Sequence, residues 1–333
     1  MHRSAVLRAT PAASAALPKT TIDIAFPDIT RWAKGNRGVP YVWTFDSGSA
    51  GPHVAIQALT HGNEVCGAIA ADFLLEHEVR PRRGRLSICF ANHAAFRTFN
   101  RDEPFKSRFI DEDFNRVWAA SALDSERTSA ELERARELRE FYDSVDFLLD
   151  IHSMSDPCPP LMLAGTQRKG AELARALGYP EYVVIDPGHS AGRRLRDYGR
   201  FDDPADPRTA LLVECGQHWS QDSPHVALQC ALRFLQHFDA ADPGFIACHL
   251  DRSIAPHQAF VEVTDSIPVR SDDFRFVWPS SAGLAVVPSA GSVIARDGDA
   301  EIRTPYDRCV LVMPMRRRAK AGDTAVRLGR FVD

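Results

Sequence analysis

Residues 53–91 read HVAIQALTHGNEVCGAIAADFLLEHEVRPRRGRLSICFA, and their rhythm decides the fold class. HVAIQALT (53–60) is an unbroken apolar run of strand length. VCGAIAADFLLEH (65–77) then spaces its apolar residues as a helix does, and RLSICFA (85–91) returns to a strand. Continuous apolar strands alternating with helices predict an α/β domain with a mainly parallel sheet.

The rhythm extends both ways. PYVWTF (40–45) is a strand candidate upstream. Downstream, SERTSAELERARELREFYDSV (125–145) is a charged amphipathic helix with acidic-to-basic pairs at helical distance. VDFLLDI (145–151), PLMLAG (160–165), YVVID (182–186) and RTALLVEC (208–215) are buried-strand candidates. KGAELARALG (169–178) is a short helix closed by Gly178, and SPHVALQCALRFLQHF (223–238) a long one. After about residue 245 the pattern changes. AFVEVTDSIPV, FRFVWPS, GLAVVPSAG, SVIARDG, AEIRTPY and CVLVMPM are short strand candidates set apart by Gly, Pro and Asp. No amphipathic helix is read there, so a small all-β domain is expected. ADPGF (241–245) serves as the linker, giving an N-terminal arm and α/β domain over 1–244 and an all-β domain over 245–333. The first 20 residues read as an irregular arm, because their apolar run is too short and broken for a signal segment.

The 333 residues are 44% hydrophobic and 25% charged, with a formal net charge of -4. That is a soluble globular composition. It has no basic excess for nucleic acid and no apolar stretch near the ~18 residues of a membrane helix. The 7 Cys show no CxxC pairing and read as reduced thiols of a cytoplasmic protein. Neither GxGxxG after a strand nor GxxxxGK[ST] occurs, which removes the common nucleotide-binding signatures.

The chemistry gathers at strand ends. His61-Gly62-Asn63-Glu64 follows the first buried strand, so its side chains stand at the carboxyl edge of the sheet, where α/β proteins bind ligands. A His and a Glu three apart converge on one metal if the chain turns between them, and Gly62 permits such a turn. His152, in D-I-H-S at the end of VDFLLDI, supplies a third ligand. Two His and one Glu form the protein set of catalytic zinc sites, with a position left for water. Glu214 ends TALLVE; it is either one half of a buried salt bridge or a general base. Arg108, Asn115 and Arg116 are either a helix cap with surface charge or a carboxylate clamp, with Arg108 as an oxyanion support.

The order H-G-N-E, R-F-I-D-E-D-F-N-R, D-I-H-S, V-E-C-G resembles the aspartoacylase/succinylglutamate desuccinylase family, itself related to the zinc carboxypeptidases. The resemblance covers roughly residues 53–240. It implies that His61, Glu64 and His152 bind one Zn2+ per chain and that Glu214 is the catalytic base. It implies oxyanion stabilisation by Arg108, substrate-carboxylate binding by Asn115 and Arg116, and orientation of His61 by Asp113. The β-rich C-terminal region is also similar to the family's second domain. The expected reaction is hydrolysis of the amide bond of a small N-acyl amino acid, bearing a succinyl, acetyl or similar group. The alternatives are a carboxypeptidase-like metallopeptidase or an inactive metal- or metabolite-binding homologue. No nucleic-acid or membrane partner is expected, and homo-oligomer formation is left open. The loop 188–207 departs from the family pattern. Its Arg193, Arg194, Arg196 and Tyr198 are either substrate contacts or part of a solvated basic loop.

Overall fold

The computed structural model describes residues 21–254, 257–279, 282–315 and 320–333. The expected N-terminal arm lies outside the described residues, apart from its continuation after residue 20. Two compact units form: Ile22–Glu262 with Phe331–Asp333, and Val263–Arg330.

The larger unit contains β1 (Val42–Asp46), β2 (His53–Ala58), α1 (Val65–Glu76), β3 (Arg85–Phe90), α2 (His93–Arg97), α3 (Ala120–Leu123) and α4 (Ala130–Asp143). It continues with β4 (Phe147–Met154), β5 (Leu161–Leu163), α5 (Arg168–Leu177), β6 (Tyr182–Ile185), β7 (Thr209–Gln217), α6 (Ser223–His237) and α7 (Pro243–His249). The first residues of β8 (Ala259–Pro268) complete it. Its strands run in the order β1-β3-β2-β4-β7-β5-β6-β8. The central pairs β2–β3, β2–β4 and β4–β7 are parallel, whereas β1 and β5 lie antiparallel to β3 and β7. The sheet is therefore mixed and mainly parallel, as the sequence rhythm predicts.

Both faces are covered, which is why the strands carry apolar residues without alternation. Val54, Ile56 and Ala58 of β2 pack with Ala68 and Leu74 of α1 and with Ala227 and Leu235 of α6. Ala55, on the opposite face, packs with Leu132, Ala135 and Leu138 of α4. At Gly67 of α1 a Cβ would stand 3.0 Å from the Ile151 side chain, so the glycine lets the helix lie close to β4 without displacing it. The charged helix begins at Ala130, later than the expected 125, because the Ser129 hydroxyl caps it by accepting from the Leu132 amide.

The smaller unit holds the rest of β8 with β9 (Arg275–Phe276), β10 (Ala285–Val287), β11 (Val293–Asp297), β12 (Ala300–Arg303), β13 (Cys309–Val312) and most of β14 (Thr324–Val332). β10, β13 and β14 pair antiparallel, and β12-β11-β9 form a separate antiparallel sheet. Val287, Ile294, Leu311, Val326 and Leu328 are its core. The stretch read as a linker at 241–245 runs into α7, inside the larger unit, and β14 is a strand the sequence reading did not mark. Among the described residues no helix is long and apolar enough to cross a membrane.

One irregularity bears on the site. Along β4–β7, His152 pairs with Glu214 but Met154 pairs with Gln217, so β7 carries one extra residue. The bulge includes Gly216 at φ 95. Such bulges re-aim neighbouring side chains, and positive φ favours glycine. Gly216→Ala is expected to lower stability by about 1–2 kcal/mol, the cost of a Cβ in that region. Urea unfolding at fixed pH checks it.

Candidate metal centre

β2 ends in a backbone turn at Leu59, whose φ is 60, and the chain then places His61 and Glu64 ahead of α1. The chain turns between them as expected, the Glu64 amide donating to the His61 carbonyl at 3.1 Å, and Gly62 serves that turn through space rather than through a positive φ. A Cβ there would fall 2.4 Å from the Ala95 carbonyl carbon, the Phe96 nitrogen and the Ser107 oxygen. The glycine admits close backbone packing, and its amide donates to the Arg108 carbonyl at 3.1 Å. Glu64 occupies the N-cap position of α1 but makes no side-chain cap bond there. Its carboxylate turns instead into a buried cluster.

Ligand atoms of His61, Glu64 and His152 lie within 4.8 Å of one another, and all three residues are buried. Nδ1 of His61 stands 2.7 Å from Glu64 Oε1, and Nδ1 of His152 stands 2.8 Å from Oε2. Each Nε2 turns outward to another carboxylate. His61 Nε2 is 2.9 Å from Asp113 Oδ1. His152 Nε2 is 2.9 Å from Asp150 Oδ2, although the pair is not aligned as a hydrogen bond. Asp150 is itself held by Gln57 Nε2 at 3.0 Å and by the Thr60 hydroxyl at 2.7 Å. Imidazoles with one nitrogen inward and the other facing a carboxylate are arranged as metal ligands are.

The electrostatics point the same way. Burial pushes the Glu64 carboxyl up, but His61 and His152 outweigh burial and hold it well below the usual range. Burial pushes His152 down, but Asp150 and Glu64 raise it well above an ordinary histidine. Glu214 faces His152 across β4–β7. Burial first, then the charge of Glu64, pushes its carboxyl up to about 8, and Oε2 has no hydrogen-bond partner. The carboxyl groups of Glu64, Asp113, Asp150 and Glu214 thus share this space with the guanidiniums of Arg108 and Arg116 and with two imidazoles. Without an ion the cluster holds extra protons, on His152 and on Glu214, and a divalent cation would take the place of that positive charge. The donor set and the unpartnered Glu214 oxygen both fit such an ion.

Arg108 donates to Glu64 Oε1 at 3.2 Å and to Asp113 Oδ2 at 3.1 Å, so it is joined to the cluster and not free. Asp113 also accepts from the Asn115 amide at 2.8 Å, and its carboxyl is held well below the usual range by His61 and Arg108 against the effect of burial. Asn115 Oδ1 accepts from the Leu195 amide at 2.9 Å, and Arg116 Nη1 donates to the Asn115 carbonyl at 2.7 Å.

In the Arg-rich loop, Arg194 and Arg196 are not solvated as a basic loop would be, whereas Arg193 is exposed. Arg194 is buried and bridges Asp186 (2.9 and 3.0 Å) and Asp197 (2.6 and 3.2 Å). Arg196, equally buried, bonds Asp197 and the Ala164 and Ala210 carbonyls. Arg193 pairs with Asp202, and the Tyr198 hydroxyl donates to Asp143. Arg194 and Arg196 with Asp186 and Asp197 build an internal ion-pair network, and the Arg193–Asp202 pair lies at its surface. Sequence reasoning also missed Glu131. Its buried carboxylate accepts from Asn92 Nδ2 and from the amides of Ile110, Asp111 and Glu112, which fixes the loop carrying Arg108 and Asp113.

Comparison with known proteins shows what this chain is similar to. Residues 50–205 match the succinylglutamate desuccinylase/aspartoacylase catalytic domain. A 111-residue stretch is 33% identical to an N-acyl-aromatic-L-amino acid amidohydrolase (carboxylate-forming) of Rattus norvegicus, covering 30% of this chain and 33% of that protein. Among solved structures, succinylglutamate desuccinylase of Vibrio cholerae superposes with a TM-score of 0.65 at 19% identity, covering 88% of this chain and 86% of that one. The product-bound ectoine utilization protein of Ruegeria pomeroyi gives 0.59 at 17%, covering 84% and 86%. At such identities these likenesses show the fold.

Proposed function

Since residues 50–205 belong to the succinylglutamate desuccinylase/aspartoacylase catalytic-domain family, we propose that this chain is a zinc-dependent amidohydrolase that cleaves a small N-acyl amino acid to a carboxylate and a free amine. The observation that carries the reading is the buried His61–Glu64–His152 cluster with an unpartnered Glu214 oxygen on the next strand. His61, Glu64 and His152 would hold one Zn2+. Bound there, the ion would supply Lewis acidity, polarising a carbonyl and making a water more acidic.

The remaining work falls to the chain itself. Glu214 takes a proton from the attacking water and delivers it to the leaving nitrogen. Its raised affinity for a proton, a consequence of burial and Glu64, suits both halves of that transfer. Arg108 opposes negative charge developing on the carbonyl oxygen. Asn115 and Arg116 orient the substrate carboxylate. Asp113 and Asp150 keep the two imidazoles turned inward. The free thiols of all seven cysteines suit the cytoplasm we assign to it.

A hydrolysis screen over N-acetyl, N-succinyl and N-formyl amino acids, on zinc-loaded protein, tests the assignment. Release of one amine far above the others is expected. Amide hydrolysis of none of them contradicts it. Within that screen Arg116→Ala is expected to raise KM about tenfold to a hundredfold, the loss of one charge-assisted bond. The same variant should act on the matching amides, which lack the α-carboxylate, as the parent does.

A further inference from the structure

His218 has no role in the chemistry above, yet it is buried four residues after Glu214, at the end of the β7 bulge. Its two ring nitrogens are both engaged. Nδ1 lies 2.8 Å from the Ser153 hydroxyl and Nε2 lies 3.2 Å from the Ser155 hydroxyl. Its backbone amide donates to the Met154 carbonyl at 2.8 Å. The ring therefore spans the segment 153–155 that leads away from His152. Phe105 and Trp219 flank it, with ring centroids at 6.4 and 5.2 Å.

Ser153 connects this clamp to the cluster. Its backbone amide donates to Glu64 Oε2 at 3.2 Å, the same oxygen that faces His152 Nδ1. Glu64 Oε1 is held from the other side by His61 and Arg108. The amide of Ser153 is thus a backbone contact to the Glu64 carboxylate, beside the side chains of His61, His152 and Arg108. A bulged strand has an irregular ladder, so its register needs side-chain support. His218 provides that support where the bulge ends.

We propose that His218 is a positioning residue for the metal site: by holding the Ser153 hydroxyl, it aims the Ser153 amide at Glu64 and so preorganises that carboxylate as a ligand. This rests on the metal reading given above. It predicts an asymmetry between the two ring nitrogens, since only Nδ1 touches Ser153. An Asn side chain places its amide near the Nδ1 position, and a Gln side chain places it near Nε2.

The test is zinc affinity of the full chain, measured by competition with a chromophoric chelator and without reference to turnover. His218→Gln is expected to weaken zinc binding about tenfold or more, as the loss of an outer support does. His218→Asn is expected to bind close to the parent. Ser153→Ala, a small change that keeps the amide, is expected to weaken binding as His218→Gln does. Parent-like affinity in both His218→Gln and Ser153→Ala overturns the proposal. So does equal weakening in His218→Asn and His218→Gln, which would mark a packing role. A parent chain that binds no zinc overturns the metal reading itself, an outcome distinct from the others.

Discussion

Glu214→Gln is expected to slow amide hydrolysis about 10²–10⁴-fold, the span a positioned general base contributes, while zinc content stays at the parent level. The amide is nearly isosteric, but it cannot accept the proton of the attacking water. Because Glu214 stands outside the His61–Glu64–His152 set, its replacement leaves the ligands intact. The pH dependence carries a second signature. Burial, then Glu64, raises this carboxyl to about 8 in the metal-free protein. Only its ionised form accepts a proton, so activity rises with pH through this titration. A cation at the cluster favours the ionised form and draws that limb below 8. Stability of the metal-free chain moves the opposite way. The folded carboxyl binds its proton more tightly than the unfolded one, at 4.5. The resulting stabilisation is complete below 4.5 and is lost as pH rises through about 8. Kinetic profiles and unfolding curves of Glu214→Gln should lack both dependences.

His152→Ala is expected to purify without metal and to show no hydrolysis. It removes one of three ligands and leaves the others too few for a stable site. The structural cost is separate. His152 stands between Glu64 Oε2 and Asp150 Oδ2, all three side chains being nearly inaccessible to water. Its loss leaves two buried carboxylates facing an empty space. Breaking such a buried pair costs about 3–5 kcal/mol. Metal analysis and thermal unfolding, run together, separate the two effects. Parent-like metal content would remove His152 from the ligand set.

The site residues were legible where the signal is local. His152 and Glu214 interrupt apolar strands, and His61 and Glu64 stand where one gives way to an apolar helix, positions costly for a polar group without a partner. The strands themselves announce their ends, so the cluster can be placed at one sheet edge without coordinates. Arg194 and Arg196 were not legible in this way. Asp197 is next to them in the chain, but the Asp186 carboxylate and the Ala164 and Ala210 carbonyls come from other segments. In one dimension a buried ion-pair network and a solvated basic loop have the same letters. Glu131 was hidden for a similar reason. It sits in the charged first turn of α4, where acidic residues are common, and only the fold brings it to the amides of 110–112. β14 escaped because Arg327 and Arg330 break its apolar run. His218 carried a faint signal, four residues beyond a buried acid, but no spacing tied it to Ser153.

The central claim is that a metal held by His61, Glu64 and His152 makes this chain an amidohydrolase. The direct measurement is hydrolysis of N-acyl amino acids by the protein before chelation, after chelation and after zinc is returned. Activity should disappear with the metal and return with about one equivalent of zinc per chain, the occupancy of a single three-ligand site. Undiminished hydrolysis by the metal-free protein would contradict the account.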